Sequence, residues 1–270
     1  MRGTSEVSRD AVLEQFGAVA TAAGAEASVL AEQLFSVVDA LDGSGSLRRA
    51  LTDPARPGTD KGSLVAALFG ELDSRVRDVV EAFVARRWIQ ESDLGDAIED
   101  AAVDAYLASV ESAGGLDAFE EEMFRVERFL ASERDVLSAL GERSSSPDAR
   151  VRLAREVFAD RVGPAVLALI ERAAREPRKR RIPKAIDYYI AAAAARRAKS
   201  VVEVTTAVEL SAAHRARLTK ILRARLGREV QVNVSVDPSV IGGMKVQVGD
   251  RVVDGTTLSK LDEARRRLVG

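Results

Sequence analysis

The chain has 270 residues, of which 46% are hydrophobic and 30% charged, and its formal net charge is −2 at pH 7. This balance is typical of a folded protein of two or three domains, and it gives the whole chain no electrostatic attraction for nucleic acid or an anionic membrane. The chain has no cysteine and one histidine, His214, which excludes disulfides, thiolate metal sites and histidine clusters. Its first residues interleave acids with apolar residues and do not resemble a signal peptide, and no apolar run is long enough to predict a membrane span.

Apolar residues at helical spacing predict a series of short helices over the first 112 residues. The pattern is clearest over 28–41, where one stripe comprises Leu30, Leu34, Val37 and Leu41. A long alanine-rich helix is predicted over 93–112. Gly114 and Gly115 follow it and are expected to end it.

The apolar pattern then repeats at a constant offset of 89 residues. The matched pairs include Phe35 and Phe124, Val37 and Val126, Leu41 and Leu130, Leu64 and Leu153, Phe69 and Phe158, and Val80 and Leu169. The loops 52–60 and 141–149 also fall opposite each other. Amphipathic helices resemble one another by chance, but a register kept across two loops favours two copies of one helical unit. We therefore predict an extra helical unit over 1–100 and a second bundle of six short helices over 101–200.

A basic run lies near the end of the second copy and comprises Arg175, Arg178, Lys179, Arg180, Arg181 and Lys184. Such a run could bind nucleic acid, but it contains no aromatic residue on which a base could stack. A solvated loop is the simpler interpretation, and contact with an acidic partner surface stays open.

The composition changes near residue 200 and predicts a carboxyl-terminal α/β module over 201–270. A strand is predicted over 201–206, a helix beginning at Ser211, and β-branched strands within 230–255 that we expect to form an antiparallel meander. A closing helix is predicted over 258–268. The predicted fold class is α+β, mostly α, with tandem helical bundle units before the small α/β module.

Two clusters could indicate a site. Gly242 and Gly243 could cradle a phosphate, but no phosphate-loop pattern surrounds them and we expect a structural bend. Acids at 117 and 120–122 could bind a metal, but at a helix start they are expected to face water and complement the helix dipole. We therefore expect no catalytic, metal or cofactor-binding residue. An enzyme would need a ligand-sized cleft with clustered carboxylates, for which the sequence gives no indication.

The stretch 230–249 resembles the carboxyl-terminal sequence pattern of the delta subunits of F-type ATP synthases, a family that includes the oligomycin sensitivity conferral protein. The positions that fill the pattern are Val230, Val232, Val236, Asp237, Val240, Gly242, Gly243, Met244, Val246, Gln247 and Gly249. Around this stretch the resemblance covers roughly residues 100–270, and the predicted duplication accounts for the remainder.

The resemblance implies a non-catalytic stator subunit, present once per complex, that joins the catalytic head to the peripheral stalk and resists rotor torque. The bundle would bind amino-terminal helices of alpha subunits through Ala102, Tyr106, Val110, Val166, Leu169 and Ile170. The carboxyl-terminal module would receive the b-type stalk subunit. The protein would lie on the cytoplasmic face of the cell membrane, held there only through the complex. We also expect the first copy to supply a second helix-binding surface.

One alternative function comes from another class of protein. A free-standing helical-repeat adaptor would use the basic loop 175–184 to bind nucleic acid or an acidic partner, and salt would weaken its binding to nucleic acid steeply.

Overall fold

The computed structural model describes residues 1, 3–142, 144–176, 181–226, 230–238, 240, 242–248 and 251–254. The chain divides into two compact units, Met1–Ala193 and Ala194–Gly270. The first unit contains only helices among its described residues, and the second contains the sheet. The predicted α+β fold, mostly helical, is confirmed.

The helices are α1 Thr4–Ala23, α2 Ala27–Gly43, α3 Gly45–Thr52, α4 Gly58–Phe69, α5 Ser74–Val84, α6 Glu91–Ser112, α7 Leu116–Ser132, α8 Arg134–Leu140, α9 Pro147–Phe158, α10 Pro164–Arg175, α11 Ile182–Ser200 and α12 Ala212–Leu226. The strands are β1 Val201–Thr206, β2 Gln231–Val236, β3 Met244–Val248 and β4 Arg251–Asp254.

Helix α6 lies at the centre of the first unit. It packs against α1, α2, α3, α5 and α7, and its most extensive contact is with α2. Its buried surface is rich in small residues, which include Ala97, Ala101, Ala102, Ala105 and Ala108. Small side chains allow neighbouring helices to approach closely, so one continuous core extends from Val12 on α1 to Ala193 on α11.

The helix boundaries recur at the offset of 89 residues. Helices α2 and α4, shifted by 89, coincide at both ends with α7 and α9, and α1 shifted in the same way ends where α6 ends. Helix α6 itself corresponds to α11. The first helical set is therefore α1–α6 and the second is α6–α11, and α6 belongs to both. The boundary predicted at residue 100 lies inside this shared helix. The division into two copies stays a prediction about how the chain arose, while the two sets share one core.

The second unit contains a four-stranded mixed sheet with strand order β2-β1-β3-β4. Strands β3 and β4 form the antiparallel pair that the sequence predicts, but the expected meander is wrong for β2. Strand β2 pairs in parallel with β1, with Val202 opposite Val232, and β1 lies between β2 and β3. Parallel neighbours need a crossover connection, and α12 supplies it. The alternation of apolar residues predicts strands but not which strand pairs with which.

The glycine pair forms the entry to β3. Gly242 and Gly243 have φ angles of 103° and 81°, in the region that side chains with a Cβ rarely adopt. Both residues form a bend directly before Met244, as the sequence predicts.

Substitution of Ala105 tests the close packing of α6. We expect Ala105→Leu to lower the free energy of unfolding by about 1–3 kcal/mol, because a fully buried alanine in a packed core leaves no space for three more carbons. Ala118→Leu on α7, where the alanine is exposed, is the matched control and should change stability by less than about 0.5 kcal/mol. Chemical denaturation of the full chain measures both, and equal effects would contradict close packing.

Substitution of Gly243 tests the bend. We expect Gly243→Val to destabilise the sheet by about 1–3 kcal/mol, because a β-branched residue at this positive φ is strained. Asparagine tolerates positive φ better, so Gly243→Asn should cost less. Hydrogen exchange of the amides of β1 and β3 measures the loss. Identical exchange in the two variants would show that the positive φ of Gly243 is not the reason for the loss of stability.

Candidate helix-binding site

The family-pattern stretch contributes to the core of the second unit. Val230 is buried with Val202, Val204 and Leu222, and the side chains that pack partly against them include Val232, Met244 and Val246. Val236, by contrast, is half exposed at the end of β2. Most of the apolar positions in the pattern therefore stabilise the sheet of this unit.

Backbone hydrogen bonds of pattern residues follow the end of β2. The backbone N–H of Asp237 donates to the carbonyl oxygen of Thr206 at 2.9 Å, and the N–H of Val240 donates to the carbonyl oxygen of Asp237 at 3.1 Å. Gln247 lies opposite Glu203 and Val252 in the register of β3. Gly249 and the predicted closing helix over 258–268 lie outside the described residues.

The six residues predicted to bind an alpha-subunit helix lie on α6 and α10, and we call them the α6/α10 face. Four of them are fully buried in the core of the first unit: Ala102, Val166, Leu169 and Ile170. Tyr106 and Val110 are partly buried and pack against the same core. Little of this face is therefore open to a partner in this structure.

Helix α2 packs against this part of the first unit. The Arg172 side chain on α10 is only 6% exposed, and its guanidinium forms an ion pair and hydrogen bond with Asp39 on α2. The same guanidinium lies over the ring of Phe35, 4.8 Å from its centroid. A buried arginine that contacts both a carboxylate and an aromatic ring holds two helices in a defined register. We call these three side chains the Arg172 clamp.

Acidic side chains surround the Arg172 clamp. The pKa of Glu32 on α2 is raised by burial, while the nearby Arg172 lowers it and Glu171 and Asp39 raise it. Burial also raises the pKa of the Tyr106 phenol on α6, with further contributions from Glu32 and Glu171. The side chains of α2, α6 and α10 therefore share one electrostatic environment at this face.

The acidic cluster at the start of α7 lines a cavity of about 430 Å³. The lining side chains are Asp117, Glu120, Glu121, Phe124 and Arg128. Glu120, predicted to face water, is only 8% exposed, so that prediction is wrong for it. Glu122, also predicted to face water, accepts a hydrogen bond from the backbone N–H of Gly163 at 2.7 Å and lies 3.8 Å from Arg125. No group of three or more His, Asp or Glu side chains suited to a metal ion occurs within the part of the chain that the structure describes.

The basic run is described only at its two ends, because 177–180 lie outside the described residues. Arg175 pairs with Asp148 at 3.2 Å, and Lys184 pairs with Asp187 at 3.6 Å. The carboxyl end of α10 is held by Arg150, whose side chain donates to the carbonyl oxygens of Ala174 and Arg175, both at 2.7 Å. His214 is exposed in the first turn of α12, where its backbone N–H donates to Ser211 Oγ.

Sequence reasoning missed the Arg172 clamp. The match of Phe35 with Phe124 was visible in the repeat, and Arg172 stands out as a charge within the apolar stripe of α10. Neither signal indicates that Arg172 contacts Asp39, which lies 133 residues earlier in the chain.

Comparison with known proteins gives one consistent result. Residues 103–268 match the family described as ATP synthase delta (OSCP) subunit. The chain is 45% identical over 271 residues to the ATP synthase subunit delta of Beutenbergia cavernae, and the match covers 100% of both chains. It is 37% identical over 271 residues to the ATP synthase subunit delta of Streptomyces griseus, again over 100% of both chains. A solved chain of the Toxoplasma gondii mitochondrial ATP synthase hexamer shares 16% identity over 62% of this chain and 95% of its own, with a TM-score of 0.31.

Removal of Arg172 tests the clamp. We expect Arg172→Ala to lower the free energy of unfolding by about 2–4 kcal/mol, because it removes the ion pair, the ring contact and the buried packing of a long side chain. Arg175→Ala on the same helix removes a more exposed pair and should cost less than about 1 kcal/mol. If the clamp couples the helices, Asp39→Asn will cost less in the Arg172→Ala background than alone. Additive effects would show that the two side chains act independently.

Proposed function

The chain belongs to the ATP synthase delta (OSCP) subunit family, and from this premise we propose that it joins the alpha subunits of the catalytic head to the b-type subunit of the stalk. It is a non-catalytic stator subunit of the F-type ATP synthase. The observation that carries the proposal is the 45% identity to an ATP synthase subunit delta over the whole of both chains. That match includes the first set of helices, so the extra length is a property of the relatives too.

We assign the connection with the b-type subunit to the second unit. This unit exposes apolar side chains in its described part, among them Ile221 at 50% and Val253 at 66%. Exposed apolar side chains on a small module support contact with an apolar partner surface. The protein is a peripheral component of the complex, and no helix in the described residues is long and apolar enough to span a membrane. Its place on the cytoplasmic face of the cell membrane and its single copy per complex are part of the proposal.

The assignment of the α6/α10 face to an alpha-subunit helix stays a prediction. Helix α2 packs on α6 and contacts α10 through Arg172, so an alpha-subunit helix that took its place would have to displace it. Helix α2 buries five large apolar side chains completely: Leu30, Leu34, Val37, Val38 and Leu41. Exposing them would cost on the order of 10 kcal/mol. A peptide helix that binds with a micromolar dissociation constant releases about 8 kcal/mol. We therefore propose that α2 stays in place and that alpha-subunit helices bind an outer surface of the first unit.

The adaptor alternative depends on the basic loop. In the described part of that loop Arg175 and Lys184 both lie against carboxylates of this chain. The full-length relatives favour the stator function over the adaptor.

Affinity purification of the synthase through this chain tests the proposal. We expect the alpha, beta and b subunits to co-purify with the chain. Because the chain has no native cysteine, Asp39→Cys combined with Arg172→Cys gives two unique thiols that a bismaleimide can join across α2 and α10. The cross-linked chain should recover the same subunits in the same amounts as the uncross-linked chain.

Two outcomes would contradict the proposal. Failure of the untreated chain to recover the synthase subunits would contradict the stator function. Recovery by the untreated chain and loss of the alpha subunit after cross-linking would show that α2 leaves its place when the alpha subunit binds.

A further inference from the structure

The α2 surface that contacts Arg172 has a counterpart on α7, 89 residues further along the chain. Glu121, Phe124 and Arg128 on α7 correspond to Glu32, Phe35 and Asp39 on α2. The two helices have matching ends in the repeat. We call Glu121, Phe124 and Arg128 the α7 face.

In the first helical set this surface has an occupant. Phe35 is buried beneath the Arg172 guanidinium, and Asp39 forms an ion pair with the same group. The surface thus binds a helix through a guanidinium that meets one aromatic ring and at least one carboxylate.

In the second set the corresponding surface is open. Phe124 is 46% exposed, whereas its counterpart Phe35 is 6% exposed. The α7 face lies along the cavity of about 430 Å³, whose other lining side chains are Asp117 and Glu120. Glu121 keeps beside Phe124 the acid that Glu32 places near Arg172 on α2, so the α7 face offers a guanidinium one aromatic ring and one carboxylate.

The residue differences between the α2 surface and the α7 face indicate which charges a partner helix of the α7 face would carry. Ala31 on α2 corresponds to Glu120 on α7, an acid that is only 8% exposed and lines the cavity. Asp39 corresponds to Arg128, which reverses the charge at the carboxyl end of the surface. A complementary helix therefore carries a basic residue opposite Glu121 and Phe124 and an acid near Arg128.

The helices of a second copy that are equivalent to α10, the partner of α2, do not supply that arginine. Arg172 itself is only 6% exposed and is already engaged by α2. The position that corresponds to Arg172 in the first set is Phe83, which is fully buried. Neither α10 nor α5 of a second copy therefore supplies the arginine, which favours another protein as its source.

We propose that the α7 face binds an arginine-bearing amphipathic helix of another subunit of the synthase. The helix places its arginine over the Phe124 ring and against Glu121, as Arg172 lies over Phe35. This inference rests on the proposed function in one respect, because it takes the partner from the same complex. It also gives the alpha-subunit helices a specific outer surface on the first unit.

Photo-cross-linking in the assembled synthase tests this inference. Phe124 is replaced by p-benzoylphenylalanine, which keeps an aromatic ring at the site, and the complex is purified through the catalytic head. We expect an ultraviolet-dependent adduct with another subunit, located by mass spectrometry within about one helical turn of an arginine. Glu121→Lys in the same chain should reduce the adduct about tenfold. Glu156→Lys, the same charge change at an exposed position of α9 outside the cavity, should leave it unchanged.

The possible failures are distinguishable. Absence of the chain from the purified complex would contradict the stator function and with it this inference. A retained chain that gives no adduct from position 124, or an adduct that Glu121→Lys does not reduce, would contradict the inference and leave the stator function in place. An adduct with a second copy of this chain would also contradict it.

Discussion

The first unit depends on close packing around α6. The helix belongs to both helical sets, and its alanine-rich surface lets α1, α2, α3, α5 and α7 approach it. Had two copies of a six-helix unit been joined by a linker, each would have its own core. Because one helix serves both sets, the copies instead share one core from Val12 to Ala193.

The shared helix also explains why equivalent positions have different surroundings. Helix α2 lies beside α6 and α10, and Arg172 engages Phe35 and Asp39 there. Helix α7 has no third helical set beyond it in the described chain, so Phe124 stays exposed. A repeat that ends leaves one surface without its internal partner, and Arg128 reverses the charge that Asp39 has on the counterpart surface. We infer that this surface, the α7 face, binds another subunit of the complex.

Periodicity predicted the helices well because each amphipathic stripe is a local property of the sequence. The stripe from Leu30 to Leu41 became α2, and the alternating residues of β3 became a strand with alternating burial. Pairing is not local. The sequence could not show that β2 lies beside β1 rather than β3, nor that Ala102 and Leu169 are fully buried in the core to which α2 also contributes. The resemblance identified the family. The structure shows how little of the predicted α6/α10 face is open to a partner.

Native-state hydrogen exchange of the full chain tests the central claim that both helical sets form one cooperative body around α6. The account predicts that the slowest amides of α2 and of α10 open with the same free energy, because neither helix can leave without exposing the common core. If α1–α5 opened at a free energy several kcal/mol lower while α7–α10 stayed protected, the first set would be a separate domain, and the account would be wrong.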